Sequence, residues 1–358
     1  MKKLRSTHVL LVLLVAMLSL QACKKPKKDT DTTPVVDDQT LKSKVYILNE
    51  GNFNSGNASV SLYDRTFNKV YNDLFSSANN RPIGDVLQSM CLVNDKAYFV
   101  VNNSNKIEIT NTFPLLSTGT ISNLALPRYM VAVNSNKAYV TEYVSYAGNG
   151  RISIIDLTNN NVTSTIPLGY LPEAMILVDG KMYVTISGED KVTVINTTTD
   201  LVESSITVTS SPSNIVKDAN GKLWVLCAGY TDYVTPSNST PGALVKINPA
   251  NGTVENTLAF SDVNGSPFRL AINGSGNTLY YGYENAVYQQ SITATSLSST
   301  PLINRNFYGL GVDPVSGNVY VGSYGFSSNQ YMIRYNSNGN LIDSTQVGVG
   351  PNGFVFVN

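Results

Sequence analysis

The chain has 358 residues, of which 42% are hydrophobic and 9% aromatic, and this composition indicates a globular protein with a sizeable core. Seven of its 25 Lys and Arg residues lie in residues 1–28, so residues 29–358 carry 18 basic and 25 acidic side chains; their net charge of −7 argues against nucleic acid as a partner. The single histidine is His8, which excludes catalytic systems and metal sites that need imidazole from the rest of the chain.

The N-terminal segment has the features of an export signal. Basic residues precede an apolar run over residues 9–20, and this run is shorter than the roughly 20 residues that a membrane-spanning helix needs. The run ends in Leu20-Gln21-Ala22-Cys23, which resembles the lipobox of bacterial lipoproteins, where small residues precede a cysteine that becomes diacylated. We therefore predict a signal peptide over residues 1–22 and a lipid anchor on Cys23 as the only attachment to the membrane. A soluble secreted protein is the alternative.

Residues 23–40 are predicted to be a lipidated, flexible tether. They are charged, rich in Thr and Pro, and poor in the large apolar side chains whose burial offsets the entropy of ordering. Residues 41–358 then form the folded body. This length is large for one domain, but closed β architectures of that size exist as single units.

A four-residue motif recurs seven times in the body: Lys, Asn or Thr, then any residue, an aromatic residue, and a second large apolar or aromatic residue. The copies are centred on Tyr46, Tyr98, Tyr139, Tyr183, Trp224, Tyr280 and Tyr320. The spacings between them are 52, 41, 44, 41, 56 and 40 residues. A period near 40 residues with insertions is typical of four-stranded propeller blades, so the repeat predicts seven blades.

Each repeat contains the pattern of four strands. A strand introduced by Pro-x-x, such as Pro172-Glu173-Ala174-Met175, precedes the motif, and an alternating strand such as residues 191–196 follows it. The first copy of the motif lacks the preceding strand, whereas the chain ends on a spare one at residues 351–357. We therefore predict an all-β, seven-bladed β-propeller with four antiparallel strands per blade. The C-terminal strand should join the N-terminal blade and close the ring.

The body lacks the sequence signatures of metal and cofactor sites. We find no calcium loop of alternating Asp and Asn, no Gly-Lys-Ser/Thr phosphate loop and no Cys pair at zinc spacing, so no metal or cofactor is expected. Cys91 and Cys227 lie inside apolar, strand-like runs. They are predicted to be buried free thiols in preference to a disulfide.

The two faces of the predicted propeller differ. On the turn face, the first-to-second and third-to-fourth strand connections are short and polar, such as Asp179-Gly180 and Asn338-Gly339, which is hairpin chemistry. On the loop face, the second-to-third strand connections and the blade-to-blade connections are long and aromatic, as in residues 142–150 and 228–242. Rigid aromatic side chains interleaved with Arg and amides are typical of binding surfaces. The loop face is therefore the predicted binding face.

The candidate ligand-binding residues share this face. They are Phe53, Arg81, Arg128, Tyr129, Tyr143, Tyr146, Tyr170, Tyr230, Asp232, Tyr233, Arg269, Phe307, Tyr308, Tyr324 and Phe326. For Tyr129 and Phe307, packing between blades is an equally good interpretation. For the tyrosines at 143, 146, 230 and 233, binding is favoured because a blade does not need the insertions that hold them.

Several segments of the body also resemble a known family. Lys137-Ala138-Tyr139-Val140 and Lys181-Met182-Tyr183-Val184, each followed by an Ile-Asp or Ile-Asn strand, resemble the YVTN/YncE-like propellers. A narrower resemblance, carried by residues 46–53, 79–90, 101–108, 127–129, 307–310 and 317–321, is to seven-bladed lipoproteins of bacteroidete type. Some of these, the BtuG-like proteins, capture cobalamin for a TonB-dependent outer-membrane transporter. The resemblance implies a binding lipoprotein and assigns no role to individual residues.

The position of the body relative to the outer membrane stays open. Surface-exported lipoproteins of that type carry acidic residues directly after the lipidated cysteine. In this chain Lys24-Lys25-Pro26-Lys27-Lys28 comes first, so a surface-exposed and a periplasm-facing propeller are both compatible with the sequence.

Three functions follow as hypotheses. The first is capture of a small ligand, corrinoid or glycan, on the loop face for a TonB-dependent transporter. The second is a protein–protein interaction scaffold at the cell envelope with no small ligand. The third, an enzyme that uses carboxylates, is disfavoured by the missing histidine. A concave, aromatic-walled depression would favour the first hypothesis, and a flat surface would favour the second.

Overall fold

The computed structural model describes residues 43–357, which fold into seven antiparallel sheets. The predicted signal peptide, the lipid anchor on Cys23 and the tether lie outside the described residues. Each sheet is one blade of a propeller, and the strand that carries the aromatic motif is the second strand from the propeller axis in every blade, as the repeat predicts.

The first four blades each have four strands, counted outward from the propeller axis. Blade 1 contains β27 (Pro351–Phe356), β1 (Lys44–Asn49), β2 (Ser59–Asp64) and β3 (Lys69–Tyr71). Blade 2 contains β4 (Leu87–Val93), β5 (Lys96–Val101), β6 (Lys106–Asn111) and β7 (Ser117–Ile121). Blade 3 contains β8 (Pro127–Ala132), β9 (Lys137–Glu142), β10 (Asn149–Asp156) and β11 (Asn161–Tyr170). Blade 4 contains β12 (Pro172–Val178), β13 (Lys181–Ile186), β14 (Lys191–Asn196) and β15 (Leu201–Thr207).

The remaining blades have the same strand order. Blade 5 contains β16 (Pro212–Lys217), β17 (Leu223–Cys227), β18 (Ala243–Asn248) and β19 (Thr253–Ala259). Blade 6 contains β20 (Phe268–Ile272), β21 (Thr278–Tyr283) and β22 (Ala286–Ser291), and its outer edge is reduced to a bridge between Val287 and Ile303. Blade 7 contains β23 (Phe307–Val312), β24 (Val319–Ser323), β25 (Tyr331–Tyr335) and β26 (Leu341–Gln346). A short helix α1 (Leu74–Asn79) and a 3-10 turn (Pro236–Asn238) interrupt the sheets.

The inner strands form a closed ring, which confirms the predicted closure. β27 pairs antiparallel with β1, placing Val45 opposite Phe356 and Ile47 opposite Phe354. It also packs against β23 of blade 7 and β4 of blade 2. The last strand of the chain therefore supplies the innermost strand of the first blade, and no inner edge remains open.

The aromatic residue of each motif copy lies in the core between blades, and all seven are at most 3% exposed. Several of their hydroxyls also reach the outer turn of the next blade. Tyr183 of blade 4 donates to the Pro249 carbonyl oxygen of blade 5 at 3.0 Å. Tyr46 donates to the carbonyl oxygen of Thr112, and Tyr139 donates to Asp200. Each copy thus supplies buried apolar area, and Tyr46, Tyr139 and Tyr183 also link their blade to the next one.

Both cysteines of the body are free thiols, as predicted. Cys227 is fully buried, and burial raises the pKa of its thiol. Cys91, on the inner strand β4, is only partly buried and packs against the apolar cluster between blades 2 and 3. Its thiol pKa is also raised by desolvation.

Blade 2 contains a buried carboxylate that accepts hydrogen bonds from three side chains. Glu108 is 0% exposed and accepts hydrogen bonds from Arg81 Nη2, Lys106 Nζ and Ser117 Oγ, each at 2.6 Å. Burial disfavours the charged form, but the bonds from Arg81, Lys106 and Ser117 outweigh it and lower the pKa of Glu108. Arg81, predicted as a binding residue, is therefore committed to this ion cluster, with its guanidinium also over the Phe75 ring.

Protonation of Glu108 should destabilise the folded protein at acidic pH. We expect Glu108→Gln to lower the free energy of unfolding by about 2 kcal/mol near neutral pH, because two cations lose their carboxylate. The folded-state pKa is the lower one, so the stabilisation is complete above the unfolded value of about 4.3 and is lost as pH falls through the folded value. Urea unfolding of both proteins near neutral pH and near pH 3 measures this. If the two proteins differ in unfolding free energy by the same amount at both pH values, Glu108 is not the stabilising carboxylate that we infer.

Candidate binding site at the channel mouth

Each inner strand begins with one extra residue relative to its partner strand. In blade 2, for example, Leu87 pairs with Val101 and Ser89 with Val100, which leaves Gln88 unpaired. The equivalent shifts lie at Arg128-Tyr129, Glu173-Ala174, Ser213, Arg269, Tyr308 and Asn352. A bulge bends its strand and re-aims its side chain, and bulges are enriched beside functional sites. Seven bulges therefore form a ring at the channel mouth, the end of the propeller axis that opens on the loop face.

A left-handed residue precedes five of these strands. Val86, Leu126, Leu171, Ser211 and Gly350 have φ values of 59°, 50°, 56°, 58° and 61°. The carbonyl oxygen of each accepts a hydrogen bond from the chain that leaves the second strand, as Val86 does from Asn102 N at 2.8 Å. Blade 6 departs from this pattern, because there the bulge residue Arg269 itself has φ 53°. A bulky residue in this conformation costs about 1 kcal/mol or more, a strain that clusters at functional sites.

The ring encloses a cavity of about 290 Å³. Its walls are Arg128 and Tyr129 of β8, Glu173 of β12, Ser213 and Asn214 of β16, Phe268 and Arg269 of β20, and Tyr308 of β23. Five of the seven inner strands therefore contribute, which places the cavity on the propeller axis. Aromatic walls with a few convergent polar groups are the usual make-up of a small-ligand pocket.

An ion pair joins blades 3 and 4 across one side of the cavity. Arg128 donates to Glu173 from Nη2 at 2.8 Å and from Nε at 3.3 Å, and to Gln88 from Nη1. Although burial disfavours the charged guanidinium, the carboxylate of Glu173 raises the pKa of Arg128. The hydroxyl of Tyr143 also donates to Glu173, and the Tyr143 ring lies 4.7 Å from the Arg128 guanidinium. The Glu173 carboxylate is thus satisfied from within the protein.

The opposite side of the cavity is held by Tyr308. Its hydroxyl donates to Glu50 Oε2 at 2.5 Å, and the same oxygen accepts from Asn352 Nδ2 at 3.1 Å. Burial and the Glu50 carboxylate together raise the pKa of Tyr308. Arg269 donates from Nε to the Tyr308 carbonyl oxygen at 2.9 Å and lies 5.2 Å from the centre of its ring.

Further aromatics extend the wall of this side toward solvent. Phe326 and Tyr324 make edge contacts with Tyr308, with ring centres 5.0 Å and 6.3 Å away. Tyr324 is 60% exposed. Of the predicted residues, the structure therefore groups Arg128, Tyr129, Arg269, Tyr308, Tyr324 and Phe326 at the channel mouth.

The other predicted residues lie elsewhere. Phe307 is buried and stacked on Phe268, and Tyr143 is buried behind Arg128, so both contribute through packing and not as exposed contacts. Tyr143 directly follows β9, and its side chain folds back over the ion pair instead of extending with the exposed part of its loop. The Asp232 carboxylate accepts from the backbone N–H groups of Val234 and Thr235, which gives it a turn-stabilising role.

Five predicted aromatics lie on the outer part of the loop face. Phe53, Tyr146 and Tyr233 are exposed, and the Tyr170 hydroxyl donates to the Tyr146 carbonyl oxygen at 2.8 Å. Tyr230 is 51% exposed and lines a separate hollow of about 350 Å³ with Glu189 and Asp190. These residues do not reach the cavity at the channel mouth.

Replacing Tyr230 and Tyr233 together by Ala should leave the fold intact. Tyr233 is 91% exposed and Tyr230 is half-exposed, so the double variant should change the free energy of unfolding by less than about 0.5 kcal/mol. Thermal melting of the purified variant measures this. A large drop in melting temperature would show that these tyrosines are packing residues and would remove them from the candidate surface.

Several residues of the site were missed in the sequence, although one signal points to them. Glu173, Ser213 and Asn214 all fall within the Pro-x-x segment that introduces an inner strand, at positions related to Arg128 and Tyr129. A repeat places equivalent positions on the same ring, so the signal that indicates Arg128 applies equally to Glu173. Glu50 and Asn352 carry no such signal, because the closure of the ring brings them together.

A larger hollow of about 480 Å³ opens on the turn face between blades 1 and 7. Its charged groups are already paired, Arg65 with Asp313 and Arg334 with Asp343. Within residues 43–357 no cluster of three or more His, Cys, Asp or Glu side chains has the arrangement of a metal site. None of the helices in that same part of the chain is long and apolar enough to span a membrane.

Together these observations define a seven-bladed β-propeller with a polar and aromatic cavity at one mouth of its channel. The chain belongs to the family described as Domain of unknown function (DUF5074), whose model matches residues 43–356. A search of curated proteins finds no match.

Solved structures with the same fold carry mixed names. A Quinonprotein alcohol dehydrogenase-like protein from Bacteroides thetaiotaomicron is 16% identical with a TM-score of 0.67, covering 89% of this chain and 79% of its own. A functionally unknown protein from Desulfotomaculum acetoxidans is 11% identical with a TM-score of 0.66, covering 88% and 99%. The Kuenenia stuttgartiensis hydrazine synthase is 14% identical with a TM-score of 0.58, covering 74% and 87%. At these identities the similarity shows the fold alone.

Proposed function

We propose that this protein is a binding lipoprotein of the cell envelope that captures a small ligand at the channel mouth and passes it to a TonB-dependent outer-membrane transporter. The observation that carries the proposal is the cavity of about 290 Å³, to which five inner strands each contribute a polar or aromatic side chain. A corrinoid or a glycan is the proposed ligand class. The resemblance to BtuG-like bacteroidete lipoproteins supports this choice.

The shape and lining of the cavity support capture of one ring-sized group. Tyr129, Phe268 and Tyr308 offer aromatic surface on the walls, and Ser213 and Asn214 offer hydroxyl and amide groups between them. A sugar ring would fill such a volume, and a macrocycle would insert one edge and rest on the exposed Tyr324. The bulges hold these side chains on strands and not on mobile loops, which lowers the entropic cost of binding.

Binding without chemistry is the proposed role, because the carboxylates at the mouth are committed to internal partners. Glu173 accepts from Arg128 and Tyr143, and Glu50 accepts from Tyr308 and Asn352. A general acid or base needs a carboxyl that can exchange a proton with its substrate. The sequence also supplies no histidine beyond His8.

An interaction scaffold is the second candidate, and a separate surface favours it. In the loop that contains the 3-10 turn, Tyr233 and Val234 are 91% and 92% exposed, side by side on the loop face. Exposed aromatic and aliphatic side chains on a surface insertion are typical of protein contacts.

Isothermal calorimetry of the purified protein against cyanocobalamin, cobinamide and a set of common polysaccharides tests the proposal. Binding with a dissociation constant of about 1 μM or tighter is expected for one class. Absence of binding across the set, with outer-membrane proteins recovered in a pull-down that depends on Tyr233 and Val234, would favour the scaffold and contradict capture.

A further inference from the structure

We infer that the captured ligand carries a carboxylate and that Arg269 binds it; this rests on the proposed function and names the chemistry of its ligand. Arg269 lies on β20, and its left-handed backbone turns its side chain along the Tyr308 backbone and ring. Only Nε is used within the protein. Among residues 43–357 its two terminal nitrogens have no hydrogen-bond acceptor, and the residue takes part in no ion pair.

A second side chain of the cavity wall also has a donor group without an acceptor among the described residues. Asn214, which lines the cavity beside Arg269, accepts a hydrogen bond from Ser213 Oγ at 3.3 Å through Oδ1. Its Nδ2 group donates to none of the described residues. The cavity thus holds two kinds of donor without an acceptor among residues 43–357, a guanidinium edge and an amide, and both are free to donate to a bound ligand.

The charge of the lining favours one negative charge. Arg128 and Arg269 are the cations of the cavity wall, and Glu173 is its only carboxylate. Glu173 is paired with Arg128. Glu50 lies behind the wall, where it accepts hydrogen bonds from Tyr308 and Asn352 and keeps its negative charge, because both donors are neutral. Among the described residues, Arg269 is therefore the one charged group of the wall without an ion-pair partner, and the carboxylate of a ligand would supply that partner.

The geometry favours a planar carboxylate over a spherical anion. The guanidinium fork binds carboxylates through two parallel N–H···O bonds, and Arg269 is held by its Nε bond and by Tyr308 so that this edge stays free. Tyr129 and Phe268 supply aromatic surface for the ring that bears the carboxylate. Two sources share this chemistry, an acidic sugar and a carboxylate on an aromatic or macrocyclic ring.

Matched pairs of probes test the inference. Glucuronate carries a carboxylate on its sugar ring where glucose carries a hydroxymethyl group. Benzoate and benzyl alcohol differ in the same way on an aromatic ring. Ligand-observed NMR titration should show at least about tenfold tighter binding of the acid in one pair, and this pair identifies the source. Arg269→Gln should remove that preference, and Arg269→Lys should restore part of it. Arg305→Gln is the control, because Arg305 is exposed and contacts Tyr335 outside the cavity wall.

The outcomes separate this inference from the proposed function. If the acid and the neutral probe bind equally, or if Arg269→Gln with an unchanged melting temperature binds the acid as well as the wild type, the inference is wrong. A corrinoid or polysaccharide whose affinity Arg269→Gln leaves unchanged would contradict the inference while supporting capture. Absence of binding by all probes and by the whole calorimetric set would contradict both.

Discussion

Deletion of residues 351–358 is expected to abolish cooperative folding, because it removes the strand that closes the ring. β27 pairs with β1 along the axis and packs against β23 and β4. Its Phe354 and Phe356 rings contact Tyr320 of blade 7. The truncated chain would expose the edge of β1 and the core beneath it. We expect a loss of more than about 5 kcal/mol, comparable with the whole stability of a typical domain.

Thermal melting and hydrogen exchange measure this loss. The truncated protein should lack a sharp transition and should aggregate, and a synthetic peptide of residues 349–358 added during refolding should restore part of the transition. A truncated protein that melts cooperatively at the wild-type temperature would show that the ring does not depend on β27.

Glu173→Ala is expected to cost about 4 kcal/mol of unfolding free energy. The substitution leaves Arg128, whose side chain is 18% exposed, without its carboxylate, and leaves the buried Tyr143 hydroxyl without an acceptor. A single member of a buried ion pair is strongly destabilising, because the desolvation of the remaining charge is no longer compensated. Urea unfolding at neutral pH measures the effect.

A control and a double variant isolate the cause. Glu203→Ala in the same blade removes an exposed ion pair with Lys181 and should leave the unfolding midpoint close to that of the wild type, because solvent screens exposed charges. The double variant with Arg128→Met should regain part of the loss, because the orphaned charge is gone. A Glu173→Ala protein as stable as the Glu203→Ala protein would contradict the assignment of a buried pair.

Much of the architecture could be predicted from the sequence because the fold repeats. Seven copies of a buried aromatic fixed the number of blades, and the spare strand at residues 351–357 predicted the closure that β27 makes with β1. Turns such as Asp179-Gly180 contain the positive φ values that their residue types favour, 48° and 74°. Each of these signals is local, and each blade repeats it.

The site could be predicted only in part, because it depends on backbone register and on contacts between distant blades. The extra residue in each inner strand is invisible in the residue types, so the sequence places Arg128 and Tyr308 in blade-to-blade connections although both lie on strands. Glu173 has no local signal, because a single acidic residue after a proline stands out only when the repeats are superposed. The pairing of Glu50 with Asn352 joins residues 302 positions apart, which no local pattern encodes.

The most direct test of the central claim is a calorimetric titration of wild-type protein and of a Ser213→Trp variant with the tightest ligand of the corrinoid and polysaccharide set. Ser213 lies on the cavity wall and is only partly buried, so an indole there is expected to occupy the space that a ligand needs. The proposed function predicts binding by the wild type and its loss in the variant, with equal melting temperatures. Equal binding by both proteins would place the ligand elsewhere, and no binding by either would contradict capture at the channel mouth.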